Sequence, residues 1–140
     1  MITPPDPSGC QEVDGTLLTT LGNEQQGKPV YVTATLKCGE KYFILLQRKM
    51  AVNERDTTWK VVDQVTVSKL KRGYQIFPPV ICESNNFPGN PTTAVGKFVK
   101  QPDNSFESRN ITDAWRFDLD NGRIEPIPVS GILCSVDAVD

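Results

Sequence analysis

Apolar and polar positions alternate with period two in several segments of this chain. The clearest run is 30–37, where Val30, Val32, Ala34 and Leu36 alternate with Tyr31, Thr33, Thr35 and Lys37. Such a pattern, rich in β-branched residues, predicts a half-buried strand. Cys38-Gly39-Glu40-Lys41 reads as a turn, and Tyr42–Gln47 as the returning strand of a hairpin. The same residues also fit a helix over 43–54, because Phe43, Leu46 and Met50 recur at helical spacing; the glycine turn favours the hairpin. Further on, Trp59, Val61, Asp63, Val65 and Val67 share one face of a long strand. Tyr74–Phe77 then reads as its hairpin partner or as a continuation beyond a bend, stopped by Pro78-Pro79, since proline donates nothing to a ladder.

Shorter runs complete the pattern. Thr16–Leu21 reads as a first strand, Ala94–Val99 as a later one, and Val129–Cys134 as the last. Ala114–Leu119 and Arg123–Ile127 flank Asp120-Asn121-Gly122, a hairpin signal whose two turn positions favour positive φ. Pro126 and Pro128 confine their segment to a sheet edge. Residues 83–93 and 100–110 read as loops, the former with the denser turn chemistry. The expectation is an all-β, mainly antiparallel fold. It is a sandwich or small barrel of eight or nine short strands, with at most one short helix. Residues 1–14 are expected to form an extended arm, and 15–140 a single β domain.

Composition narrows the chemistry. The 140 residues include no histidine, so Ser-His-Asp triads, Cys-His pairs and histidine-ligated metals are excluded. Fifteen basic and 17 acidic residues give a net charge of −2. No broad basic surface suggests nucleic acid, and no run reaches the ~18 apolar residues of a membrane span. No cofactor or metal is expected.

Four cysteines are present, Cys10, Cys38, Cys82 and Cys134. They lack the close C-x-x-C pairs of thiolate metal sites, so two disulfides are the preferred reading over free thiols or a metal centre. Spacing alone does not fix the pairing. Val80-Ile81-Cys82 and Ile132-Leu133-Cys134 both end apolar runs, and this favours Cys82–Cys134 with Cys10–Cys38. Disulfides imply a periplasmic or extracellular location. The Pro-rich opening then reads as the tether left after removal of a signal peptide. Cys10 has one competing use, as a lipidated residue, which the even cysteine count disfavours.

Several candidate sites stand beside plainer readings. Phe87, with Asn86, lies in the Pro/Asn/Gly loop 83–93 and is the first choice for an exposed contact residue. Tyr74 joins them as a candidate binding residue. Trp59 and Trp115 lie in alternating strands and are expected in the core. The Lys69, Lys71 and Arg72 cluster reads as a solvated turn. Asp118-Leu119-Asp120-Asn121-Gly122 opens like a calcium loop, but Val129 replaces the required glutamate. A hairpin with Asp118 facing solvent is preferred. Asn110-Ile111-Thr112 is a glycosylation sequon.

No catalytic set emerges. The favoured expectation is an exported, non-enzymatic β domain that binds a protein or glycan through its loops. One alternative is a structural component of a cell-envelope assembly, pairing through the edge segment 123–129. A less favoured alternative is a small hydrolase working through Asp118 and Asp120.

Overall fold

A computed structural model describes residues 9–19, 26–51 and 57–138. Ten strands run through these residues: β1 (Cys10–Leu17), β2 (Tyr31–Cys38), β3 (Lys41–Ala51), β4 (Thr57–Val67), β5 (Gln75–Phe77), β6 (Cys82–Ser84), β7 (Thr92–Lys100), β8 (Phe106–Asp118), β9 (Arg123–Pro126) and β10 (Ile132–Val136). A short 3-10 turn, Pro79–Ile81, precedes β6. The pairings given by the register are antiparallel. The all-β, antiparallel class expected from the sequence is therefore what the chain adopts, in two sheets. By their contacts the residues divide into two compact units, 1–69 with 119–124, and 70–118 with 125–140.

The first unit holds a four-stranded meander in the order β1-β2-β3-β4. The β2–β3 hairpin closes at Gly39, whose φ of 67° is the left-handed value that glycine adopts without a Cβ penalty. Residues 43–51 thus continue a strand rather than a helix. Cys10 and Cys38 face each other in register at the open end of the β1–β2 ladder, and their sulfurs are bonded. Strand β1 begins at Cys10, so residues 10–14 belong to the sheet and not to an extended arm. The disulfide and the ladder hold this stretch despite its polar sequence. The expected strand at 16–21 is correspondingly shifted, and residues 20–25 fall outside the described part, as do 1–8.

Two burial expectations for this sheet fail. On β2 Tyr31, Thr33 and Thr35 are buried, at 6%, 2% and 7% exposure, while on the other face only Ala34 is, and Val32 and Leu36 are half-buried. Thr33 tolerates this because its hydroxyl donates to the Leu45 carbonyl at 2.9 Å, which satisfies a group that would otherwise be costly to bury. Trp59 is 37% exposed rather than in the core. It lies opposite Lys49 near the outer end of the β3–β4 ladder.

A register shift between Leu46 and Gln47 inserts Val62 as an extra residue on β4. The turn 119–122 lies close to this bulge. Asp63 accepts the Ile124 amide at 2.7 Å, and a Cβ on Gly122 would stand 3.5 Å from the Tyr31 hydroxyl. The hairpin expected at Asn121-Gly122 is present between β8 and β9. Gly122 takes φ 63°, but Asn121 is not among the positive-φ residues. One left-handed residue is enough here because the loop is longer than a two-residue turn.

The second unit holds a sheet in the order β5-β7-β8-β10-β6, with β9 also on β8. Strand β5 pairs with β7, not with β4 as the hairpin reading expected. Its core comprises Phe77, Ala94, Ala114, Ile127 and Cys134, with Phe98 and Ile111 packed alongside. Burying a large apolar side chain such as Phe77 contributes roughly 1.5–3 kcal/mol. Cys82 and Cys134 are direct cross-strand partners and are disulfide-bonded, as the two apolar runs suggested. Trp115 is half-buried, outside that core.

Strand β8 starts at Phe106, inside the stretch expected to be a loop. It is bent rather than broken. Asn110 adopts φ 55°, and the ladder slips between Val95 and Lys97, which is the mark of a bulge. Gly96 makes this possible. A Cβ there would meet the Arg109 carbonyl and the Phe77 ring at 3.1 Å each.

Candidate functional site

The loop after β6 is bound to its unit at several points. The Asn85 amide donates to the Gly131 carbonyl at 3.0 Å, and the Asn86 side chain donates to the Ser130 carbonyl at 3.3 Å. At the far end, Phe117 donates its amide to the Pro91 carbonyl at 2.9 Å. Phe87 is not the exposed contact expected of it. It is half-buried and packs on the core. The Pro/Asn/Gly composition signals a loop correctly, but says nothing about which way its one aromatic residue turns.

Arg116 explains why Phe87 is covered. The guanidinium lies 4.9 Å from the centre of the Phe87 ring. One terminal nitrogen donates to the Asn90 side-chain carbonyl at 3.0 Å. The other meets Glu125 at 2.6 Å and Asp118 at 3.7 Å. One planar fork therefore ties β8, β9 and the 85–91 loop together, a role that suits arginine better than lysine. Asp118 is consequently buried, at 7% exposure, and not the solvent-facing turn residue expected. Asp120 is exposed, so the two candidate carboxylates occupy different environments. Arg116 carries no signal in the sequence, because Asn90 lies 26 residues away and Phe87 further still.

Tyr74 lies in a different cluster. Lys71, Arg72 and Gly73 form a turn in which Tyr74 donates its amide to the Lys71 carbonyl at 2.9 Å, with Gly73 at φ 84°. The Lys71 ammonium lies 6.0 Å from the ring centre. Lys97, delivered by β7, places a second ammonium at 5.2 Å. Ring faces attract cations, so the half-buried phenol steadies two flexible side chains. Among the described residues, Lys71, Arg72 and Lys97 make no ion pair with a carboxylate. Lys97 also stands opposite Arg109 in the β7–β8 register. The basic turn thus gains a cation from a distant strand, which sequence spacing does not reveal.

All four cysteines are in disulfides, so none is available as a thiolate ligand. Among the described residues no cluster of three or more Cys, Asp or Glu side chains is placed to hold a metal ion, and no helix is long and apolar enough to cross a membrane. Within the sequon, Asn110 and Thr112 are exposed at the β8 bulge. Comparison with protein-family models, curated proteins and solved structures finds no match.

Proposed function

We propose that this chain is an exported, non-enzymatic β module that binds an acidic glycan through the turn around Tyr74. The observation that carries the reading is the pair of ammonium groups, Lys71 and Lys97, gathered on one aromatic ring without carboxylate partners among the described residues. Two steadied cations, with Arg72 exposed beside them, suit the carboxylate or sulfate groups of an acidic sugar chain. A protein partner is the weaker fit here. Protein interfaces centre on apolar anchors, and no large exposed hydrophobic residue lies between 68 and 75. The two disulfides are compatible with a periplasmic or extracellular location.

Retention on heparin-agarose, a sulfated polysaccharide support, tests this reading. The wild-type chain is expected to be retained at low salt and released as screening increases, with K71A/K97A eluting at distinctly lower salt. Identical elution of the variant would refute the assignment. Retention on polyglutamate but not on heparin would replace the glycan with an acidic protein.

A further inference from the structure

A second surface lies in the same unit, at the end of β10. Pairing of β10 with β6 stops at Cys134 and Cys82, because the chain before Cys82 turns away in the 3-10 segment Pro79–Ile81. Strand β10 continues nonetheless, with Ser135 and Val136 paired to Glu107 and Phe106 of β8 on its other flank. Beyond the disulfide, the β6-side flank of β10 therefore has no strand opposite it among the described residues. An open groove of about 420 Å³ occupies that place. Val80, Ile81 and Val136 supply its apolar surface, Glu83 and Asp137 its charge, and no lining residue is a cation. Val80 is 75% exposed and Val136 37%. Neither Glu83 nor Asp137 makes an ion pair among the described residues.

We infer that this groove accepts an extended segment of a partner protein that carries alternating apolar and basic side chains. The free flank of β10 offers main-chain hydrogen-bonding groups, and strand addition gains its affinity from such groups. Specificity then comes from alternate side chains, with an apolar one seated on Val80 and Val136 and a lysine or arginine between Glu83 and Asp137. The volume lies within the roughly 300–1,000 Å³ range of ordinary ligand sites. The disulfide lies where β6 begins, at Cys82, next to the open flank. This site is separate from the Tyr74 turn and opposite to it in charge.

The test titrates the ¹⁵N-labelled, disulfide-intact chain with the peptide Ac-Thr-Lys-Val-Lys-Val-Lys-Thr-NH₂, and in parallel with its Glu-for-Lys counterpart. Saturable shifts of the amides at 80–83 and 135–137 are expected with the lysine peptide only. E83K/D137K is expected to weaken binding by about fivefold or more, from the loss of two exposed ion pairs. V80D serves as an independent variant on the apolar side, and near-ultraviolet circular dichroism checks that both variants remain folded. No shift at these amides, equal binding of the glutamate peptide, or unaltered binding by both variants would overturn the inference. So would concentration-dependent dimerisation through the same amides, which would make the occupant a second copy of the chain.

Discussion

Removing the Arg116 side chain should loosen the second unit by a predictable amount. In R116A the hydrogen bond to Asn90 disappears, and a bond from a charged donor contributes about 1.5–3 kcal/mol. The Glu125 contact is short, but that carboxylate is 36% exposed, so screening holds its share to about 0.5–1 kcal/mol. The stacking on Phe87 adds about 0.5–1 kcal/mol. Asp118, whose side chain is only 10% exposed, loses a cation 3.7 Å away, and this adds to the cost. These contributions overlap because one fork makes them all, so the expected loss is about 3 kcal/mol rather than their sum. That is a large part of the roughly 5–15 kcal/mol that holds a domain folded. Urea unfolding is the assay. A W59F background leaves Trp115, in the same unit as Arg116, as the sole tryptophan. The midpoint should fall by roughly 1.5 M for an m-value near 2 kcal/mol per molar. R116K should recover only part of the loss, because lysine keeps the charge but not the fork. A loss below about 1 kcal/mol for R116A would refute the idea that this residue ties the loop to the sheet.

Four further outcomes follow from particular residues. Intact mass after alkylation should show no labelled cysteine until the protein is reduced. C82A/C134A should cost about 4 kcal/mol in urea unfolding, as the chain-entropy estimate gives for a separation of 52 residues. G96A should lose roughly 1–3 kcal/mol in the same assay, because its methyl meets the Arg109 carbonyl and the Phe77 ring at 3.1 Å; an unchanged midpoint would show that the bulge can relax. Asp103 carries a pKa held below its ordinary 3.8, first by the Ser105 hydroxyl and then by the Ser105 amide. A depressed pKa means that its hold on the 101–105 turn is present above that ordinary value and is lost as pH falls through the folded one. The Ser105 amide resonance should therefore titrate with a midpoint below pH 3.8, and a higher midpoint would contradict the hydrogen bonds.

Much of the fold was legible because it is local. Period-two alternation marks β2 and β4, and glycine with short polar runs marks the β2–β3 and β8–β9 hairpins. The cysteine partners followed from two apolar runs of matching form. What stayed hidden depends on distant neighbours. Thr33 and Thr35 look like a solvent face, yet a carbonyl across the ladder lets Thr33 be buried. The start of β8 reads as a loop because Asp103, Asn104 and Ser105 make a turn beside it, and the bulge at Asn110 interrupts its alternation. Tyr74 could be nominated from the sequence, but its second cation arrives on β7. Phe87 could be placed in a loop, but its cover comes from β8. Side-chain direction in a loop is set by long-range contacts, and no local pattern encodes those.

The most direct test of the proposed binding function is a ¹⁵N chemical-shift titration of the wild-type chain with a heparin tetrasaccharide at low and moderate salt. The account predicts saturable shifts centred on residues 71–75 and Lys97, weakening as salt screens the charges. A titration that leaves these amides unmoved, or moves only the 85–91 loop, would contradict it.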